Sequence, residues 1–270
     1  MPQGVGVRLL SVAALFTRLL HMKRSEIDQV CKEHDQWFAL YKDEPLIAAE
    51  WRNWKRRLTF APESAWSEAA VRRLLTSEQI GVRPYSPNTG NEKRPDFLCE
   101  ANGAKFVVEV TCITDRALTD ATLVGPPDHG ISAFDVNELP RRISDEISRK
   151  APVCSVAKLP AMVAVASWSN APATWDAGIL AHEIFGGRSV LKGRVNTKTG
   201  DAHDTWVEST FEGAAFLAVD KSTGELRELR KSISAALVAD FAGIPRTIFV
   251  VRNPHANRPL ELKFQGIQVS

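Results

Sequence analysis

Two acidic residues, Asp96 and Glu109, have the spacing of a pair that could hold a divalent metal ion. They lie in two strand-like segments that are joined by the four residues 101–104. If these four residues close a hairpin, Glu100 pairs with Lys105, and counting back along the ladder puts the two acids opposite each other. Facing carboxylates repel unless a cation or a shared proton lies between them. Mg²⁺ suits such a pair, because it prefers oxygen ligands and usually takes one or two carboxylates.

The elements that must position this pair follow a regular order along the chain. Apolar residues at helical spacing predict a helix over residues 62–77, and a short strand follows at 82–85. After the hairpin, residues 137–150 again have helical spacing, and the apolar stretch 161–168 predicts a buried strand. The predicted order is therefore helix, three strands, helix, strand.

The flanking segments predict further helices and strands on both sides of this region. They are two helices within residues 25–58 separated at Pro45, a helix at 175–185, a long loop or peripheral hairpin at 188–212, strands at 214–219 and 247–251, and a helix over about 223–241. We therefore expect an α/β fold with a mixed central β-sheet flanked by helices. The domain organisation that follows is a helical N-terminal extension over residues 1–60 and an α/β domain over 61–270.

The residues around the acidic pair carry a family resemblance. Pro95 and Asp96 begin one strand, Glu109-Val110-Thr111 lies in the next, and the upstream helix carries Glu63 and Glu68. Together with the order of elements over residues 62–168, they resemble the PD-(D/E)XK nuclease superfamily, which has the restriction-endonuclease-like fold.

This resemblance implies a function and a set of site residues. The function would be Mg²⁺- or Mn²⁺-dependent hydrolysis of phosphodiester bonds in DNA by an endonuclease, in restriction, repair or defence. Asp96 and Glu109 would be the metal ligands, and Glu68 would add a third ligand or orient a water molecule. Nucleic acid is then the expected partner, and because many nucleases of this fold cut as dimers, a homodimer stays open.

One position departs from the family pattern. The third signature residue is usually a lysine two positions beyond the glutamate, and here that residue is Thr111. Either this threonine or a basic residue from a neighbouring element would have to position the nucleophile. Lys105 lies on the same strand but about 13 Å along it from the glutamate. Lys150 or Arg142 on the following helix is therefore the better candidate. We take Lys150 as the basic residue that replaces the signature lysine and positions the nucleophile.

Two other functions remain open at this stage. A non-catalytic protein of the same fold could bind nucleic acid or a protein partner, with Thr111 as the mark of lost activity. Alternatively, the hairpin is plain structure and the segment 51–57 docks a partner, since it combines two tryptophans with four basic residues. The simpler interpretation of that segment is a solvated helix face whose tryptophans lie in the core.

Composition and motifs exclude several other classes of protein. The formal net charge of +2 does not indicate a strongly basic nucleic-acid-binding protein, so any basic surface is local. The four scattered cysteines never form a CxxC pair, which argues against a zinc site or a dense disulfide framework and favours the cytoplasm. The longest early apolar run, residues 9–16, is too short to span a bilayer. No P-loop, GxGxxG or GxSxG motif occurs, and His182 lacks the second histidine of a metalloprotease motif.

Overall fold

The computed structural model describes residues 24–86, 94–114, 138–168, 177–185, 188–195, 202–210, 214–220, 222–241 and 247–269. The helices within these ranges are α1 (Arg24–Ala39), α2 (Pro45–Phe60), α3 (Pro62–Ser77), α4 (Glu138–Val156) and α5 (Ala177–Phe185). The strands are β1 (Gly81–Pro84), β2 (Phe97–Ala101), β3 (Ala104–Ile113), β4 (Ala161–Ser167), β5 (Arg188–Val195), β6 (Ala202–Thr210), β7 (Leu217–Val219), β8 (Leu226–Glu228), β9 (Ala235–Asp240), β10 (Ile248–Arg252) and β11 (Gln268–Val269).

Seven strands form one mixed sheet in the order β1-β2-β3-β4-β9-β10-β11. The pairs β1–β2 and β2–β3 are antiparallel, whereas the pairs β3–β4 and β4–β9 are parallel. The predicted α/β class with a mixed central sheet is therefore confirmed. The remaining strands form two small hairpins, β5 with β6 and β7 with β8. For the segment 188–212 the sequence predicted either a long loop or a peripheral hairpin, and the structure has the hairpin there.

Helices cover both faces of the sheet, and strand β3 shows how the two cores separate. Because successive side chains of a strand point to opposite faces, alternate residues of β3 enter different cores. Val108 and Val110 pack with the helices α1, α2 and α3, whereas Val107 and Ile113 pack with α4 and α5. The acidic residue between them, Glu109, therefore points to the face that α4 covers. No helix in the described part of the chain is long and apolar enough to cross a membrane.

The predicted helix over residues 223–241 is wrong. The structure has strand β8 and then strand β9 in this segment, with a turn between them. Strand β9 lies between β4 and β10 in the middle of the sheet, and all six of its residues are buried. A strand that is covered on both faces shows no alternation of apolar and polar residues, so its alanine- and leucine-rich sequence resembles a buried helix. The predicted C-terminal strand-helix-strand unit is thus an all-strand unit.

The N-terminal helices share one core with the sheet. The predicted break between them is confirmed, since α1 ends at Ala39 and Pro45 begins α2. The buried side chains Trp37, Phe38 and Trp54 pack in the same apolar cluster as Phe97 and Val108 of the sheet. The predicted boundary at residue 60 coincides with the short turn before α3, but the core continues across it.

Replacing Trp54 by alanine should strongly destabilise the whole protein. The side chain is only 1% exposed, and its Nε1 atom donates a hydrogen bond to the carbonyl oxygen of Ala65 in α3. Truncation of a buried tryptophan costs about 3–5 kcal/mol of unfolding free energy. Phe60 provides a matched control on the same helix, since it is 64% exposed and its replacement by alanine should change the unfolding free energy by less than about 0.5 kcal/mol. Urea denaturation of both variants measures the difference, and equal losses would contradict the shared core.

Candidate active site

The β2–β3 hairpin brings the two acidic residues together. Its turn is formed by Asn102 and Gly103, which both have positive φ angles, as a two-residue hairpin turn requires. The predicted pairing of Glu100 with Lys105 is confirmed, and the ladder continues to Phe97 opposite Val108. One step further, the backbone N–H of Val110 donates a hydrogen bond of 2.7 Å to Oδ2 of Asp96. The carboxyl group of Asp96, the residue immediately before β2, therefore lies beside Glu109.

Asp96 lines a cleft and is partly open to the solvent. Its carboxyl group has a pKa well above the ordinary value, because burial disfavours the charged form and the negative charges of Glu109 and Glu68 add to this effect. The hydrogen bond from Val110 acts in the opposite direction and does not cancel it. An aspartate that is destabilised in its charged form by other carboxylates is a group that would gain from a nearby cation.

Glu109 is 5% exposed, and Lys150 contacts one of its two carboxyl oxygens. Burial raises the pKa of this group, although the positive charge of Lys150 opposes the shift. The Nζ atom of Lys150 donates a hydrogen bond to Oε1 of Glu109. The other oxygen, Oε2, is buried and accepts no hydrogen bond from a nitrogen or hydroxyl group of the described residues, but Glu109 does share a side-chain hydrogen bond with Asp96, which opposes the rise of its pKa. A buried carboxylate oxygen without a partner is unfavourable unless a further group occupies the position.

Helix α4 brings Lys150 to this site. The side chain of Lys150 is only 17% exposed and lies between the helix and strand β3. The other two candidates for this position lie elsewhere: Arg142 does not line the described cleft, and the Nζ atom of Lys105 is 3.9 Å from Oε2 of Glu100. Of the three basic residues that the sequence suggests, the structure thus brings only Lys150 to the acidic pair.

Glu68 of α3 reaches the same cleft, but residues of the N-terminal helices contact both of its oxygens. Its side chain is almost completely buried; Oε1 lies 3.5 Å from Nε2 of His34, and Oε2 accepts a hydrogen bond from Nη2 of Arg57. Burial alone would raise the pKa of Glu68, but the interactions with His34 and Arg57 outweigh it and lower the pKa. Glu68 is therefore charged, and Arg57 balances that charge.

No pattern in the sequence indicates that His34 belongs to this region. The imidazole is fully buried among the rings of Trp37, Phe38, Trp54 and Phe97, and burial lowers its pKa. It lies 34 residues before Glu68 in the chain, on a helix whose apolar spacing predicts only a core position. A contact at this separation depends on how α1 packs against α3, which local patterns do not encode.

Thr111 takes part in a polar cluster beside the cleft. It lies two residues beyond Glu109 on β3, and its hydroxyl group donates a hydrogen bond to Oε2 of Glu146 on α4. The same hydroxyl oxygen accepts a hydrogen bond of 3.0 Å from Nη2 of Arg149. Thr111 does not line the cleft itself, whereas Arg149 does. The residue in the signature lysine position is therefore bound to α4 and does not approach the acidic pair directly.

The segment 51–57 of α2 largely follows the simpler interpretation. Trp54 is buried, and Nε1 of Trp51 donates a hydrogen bond of 2.7 Å to Oδ1 of Asp35. Both tryptophans are thus engaged within the protein. The basic residues Arg52, Lys55 and Arg56 are exposed, and docking of a partner there stays a prediction.

The cleft has a volume of about 730 Å³ and combines acidic and basic side chains. Within the described residues, its acidic lining consists of Glu50, Glu68, Asp96 and Glu109, and its basic lining consists of Arg94, Arg149 and Lys150. Opposite charges are thus close together, which suits a polar or charged ligand better than an apolar one.

The acidic pair fits a divalent cation in its chemistry, although the described residues do not gather three ligands around one point. No group of three or more His, Cys, Asp and Glu side chains in the described ranges is arranged to hold a metal ion. Lys150 and Arg57 each contact one of the four cleft carboxylates, Glu109 and Glu68 respectively. The donor set still suits Mg²⁺ or Mn²⁺, because Oε2 of Glu109 is buried without a nitrogen or hydroxyl donor among the described residues and the charge of Asp96 is disfavoured by burial and by the neighbouring carboxylates.

Comparison of the chain with protein-family models, with curated proteins and with solved structures finds no match. The assignment of a function therefore depends on the residues of the cleft and on the order of the elements that carry them.

Proposed function

We propose that this chain is a metal-dependent endonuclease that hydrolyses phosphodiester bonds in DNA. The observation that carries the proposal is the pair of carboxyl groups, Asp96 and Glu109, which lie side by side across a hairpin with raised pKa values and with Lys150 bound to one of them. Such an arrangement costs stability in the absence of a cation, and perturbed carboxyl groups in a cleft are typical of functional sites.

The order of the elements supports the same proposal. Helix α3, strands β1 to β3, helix α4 and strand β4 follow one another along the chain; Asp96 immediately precedes the second of these strands and Glu109 lies on the third. This order is the one on which the resemblance to PD-(D/E)XK nucleases depends. We accordingly propose a restriction-endonuclease-like core. Restriction, repair or defence in the cytoplasm, as a monomer or a homodimer, are the settings that this family implies.

Each residue of the site would have a distinct role. A bound Mg²⁺ or Mn²⁺ ion would lower the pKa of a water molecule and offset the negative charge that develops on the phosphate. Asp96 and Glu109 would hold the ion through their carboxylate oxygens. Lys150 would donate a hydrogen bond to the attacking water and keep it aligned with the phosphorus atom. Glu68, held by His34 and Arg57, would accept a hydrogen bond from a second water or add a third oxygen.

Removal of divalent cations should abolish the activity. Supercoiled plasmid and labelled single strands are incubated with the native protein in Mg²⁺, in Mn²⁺ or in EDTA, and cleavage is expected only with the metals. A Glu109→Gln preparation, purified in the same way, controls for contaminating nucleases and should not cut. Cleavage that persists in EDTA, or equal cleavage by the variant, would contradict the proposed site.

A second function is favoured by one feature of the cleft. Because Lys150, Arg57 and Arg94 already contact three of the four cleft carboxylates, the charge balance within the cleft is partly satisfied without a metal. The chain would then be a catalytically inactive protein of nuclease fold that binds nucleic acid or a protein partner. Calorimetry separates the two functions: Mg²⁺ binding with cleavage supports the nuclease, whereas nucleic-acid binding without Mg²⁺ binding or cleavage supports the inactive protein.

A further inference from the structure

Arg149 is the most exposed of the three basic side chains that line the described part of the cleft. Its side chain is 60% exposed, compared with 17% for Lys150 and 14% for Arg94. Lys150 binds Glu109, and Arg94 donates hydrogen bonds to Glu50 and to the carbonyl oxygen of Leu46. An anion that approaches the cleft from the solvent therefore meets the guanidinium group of Arg149 most readily.

Two residues fix the guanidinium group along one edge. Nε donates a hydrogen bond of 3.2 Å to Oε1 of Glu146, and Nη2 donates to Oε2 of Glu146 and to the hydroxyl oxygen of Thr111. The hydroxyl group of Thr111 in turn donates to Glu146, so the three side chains form a closed set of hydrogen bonds. A guanidinium group has five N–H donors, and the two donors of Nη1 have no acceptor among the described residues.

A guanidinium group held in this way is suited to a phosphate group. Arginine binds phosphate oxygens through a planar set of donors, and little further entropy is lost when the side chain is already fixed. The four acidic residues of the cleft repel an incoming phosphate, so a cation is needed near the place where the phosphate arrives. We propose that Arg149, held by Thr111 and Glu146, is the site at which the cleft binds a backbone phosphate of nucleic acid. This inference rests on the proposed function and adds a substrate-binding residue to it.

The same arrangement assigns Thr111 a different role from the lysine it replaces. Thr111 acts through Arg149 as a positioning residue and contacts neither the metal-binding pair nor the substrate. Two different residues of α4 thereby supply the positive charge: Lys150 contacts Glu109 of the acidic pair, and Arg149 lies at the exposed side of the cleft, where the phosphate would bind.

Binding of fluorescein-labelled DNA in EDTA tests this inference without any need for cleavage. Anisotropy is measured for the native protein, for Arg149→Met and for Arg73→Met at several salt concentrations. Arg73 is the matched control, because it is also ion-paired, with Glu33, and does not line the cleft. The binding constant K falls as salt rises, so the slope of log K against log salt is negative. Loss of one phosphate contact should make this slope shallower by about 0.9 on duplex DNA or about 0.7 on a single strand. Arg73→Met should leave the slope unchanged.

Two further variants separate the loss of the contact from side effects. Removing Arg149 exposes the charge of Glu146, so the double variant Arg149→Met/Glu146→Gln should show the same loss of slope as the single one. Thr111→Val lacks the hydroxyl group and should weaken DNA binding about threefold, which is less than the loss of one whole phosphate contact. Thr111→Ser keeps a hydroxyl group and should restore the binding. A role of Thr111 in packing alone would instead lower the melting temperature and leave the salt slope unchanged.

The outcomes distinguish this inference from the proposed function. If the native protein binds DNA and Arg149→Met binds it with the same affinity and slope, the phosphate site is refuted while the nuclease proposal stands. If Thr111→Val matches the native protein, the positioning role is refuted. If the native protein binds neither duplex nor single-stranded DNA in EDTA, the phosphate site is refuted, and the nuclease proposal is decided separately by the cleavage assay with Mg²⁺ or Mn²⁺.

Discussion

Replacing Asp96 by asparagine should abolish DNA cleavage and leave the metal-free protein at least as stable as the native chain. Loss of a residue that only supports a metal ligand typically costs roughly 10–100-fold in activity. Asp96 is itself a proposed ligand, so its replacement should reduce cleavage by more than this. Stability should not fall, because the asparagine oxygen can still accept the hydrogen bond from Val110 and the repulsion with Glu109 and Glu68 disappears. If Asp96 served only for packing, Asp96→Asn would instead lower the stability and leave cleavage unchanged.

The pH dependence of stability gives a second test of the same residue. Because the pKa of Asp96 is raised in the folded protein, the unfolded chain loses this proton at lower pH than the folded chain does. The stability that the protonated group contributes is therefore present below its ordinary pKa of about 4 and is lost as the pH rises through the raised value. In EDTA, the melting temperature of Asp96→Asn should exceed that of the native protein at pH 8, and the difference should vanish towards pH 4.

Added metal should reverse this order. A ligand that binds only the folded protein stabilises it by about 2.7 kcal/mol at a concentration of 100 times its dissociation constant. Mg²⁺ or Mn²⁺ should therefore raise the melting temperature of the native protein and leave Asp96→Asn unchanged. Asp43→Asn, at an exposed position, is the control and should respond to the metal as the native protein does. An asparagine variant that is clearly less stable in EDTA, or that still cuts, would contradict the proposed role of Asp96.

The hairpin that carries this pair was predictable because its determinants are local. The turn requires positive φ angles at two successive positions, and Asn102 and Gly103 adopt them at low cost. Once the turn is placed, the pairing of every later residue follows by counting, which brings Asp96 beside Glu109. The helices that begin at Pro45 and Pro62 were predictable for the same reason, since proline at the first helical turn is a local signal.

The contacts between elements were not predictable in the same way. Helical spacing made Arg142 and Lys150 equally suitable, and only the crossing of α4 over β3 brings Lys150 to Glu109. The contacts of Glu68 with His34 and Arg57 depend on the packing of three helices. Strand β9 was mistaken for a helix because burial on both faces removes the alternation that identifies a strand. The role of each site residue stays a prediction until the variants are measured.

Replacing Lys150 by methionine should lower both stability and activity, and a second substitution should restore only the stability. The ion pair with Glu109 is largely buried, so removal of the lysine leaves a carboxyl group without its partner. Breaking a buried pair from one side costs about 3–5 kcal/mol of unfolding free energy. The lysine is 17% exposed, so we expect a loss at the lower end of this range, about 3 kcal/mol.

The double variant Glu109→Gln/Lys150→Met removes both charges and should regain most of the lost stability. The unfolding free energies of the native protein, the two single variants and the double variant form a cycle, from which we expect a coupling energy of about 2 kcal/mol. None of the three variants should cut DNA. Recovery of stability would show that the loss in Lys150→Met comes from the unpaired carboxyl group of Glu109. Because the double variant also lacks this proposed metal ligand, the role of the lysine in cleavage has to be tested with Glu109 in place.

Lys150→Arg separates the charge of this residue from its shape. Arginine can keep an ion pair with Glu109. The unfolding free energy of Lys150→Arg should therefore lie within about 1 kcal/mol of the native value. A planar guanidinium group cannot occupy the position of a compact ammonium group, so a water aligned by Nζ would be misplaced, and kcat should fall about 100-fold. If Lys150→Met cuts at the native rate, Lys150 merely balances the charge of Glu109. If Lys150→Met binds DNA normally but the native protein never cuts, the ion pair marks a site that has lost catalysis.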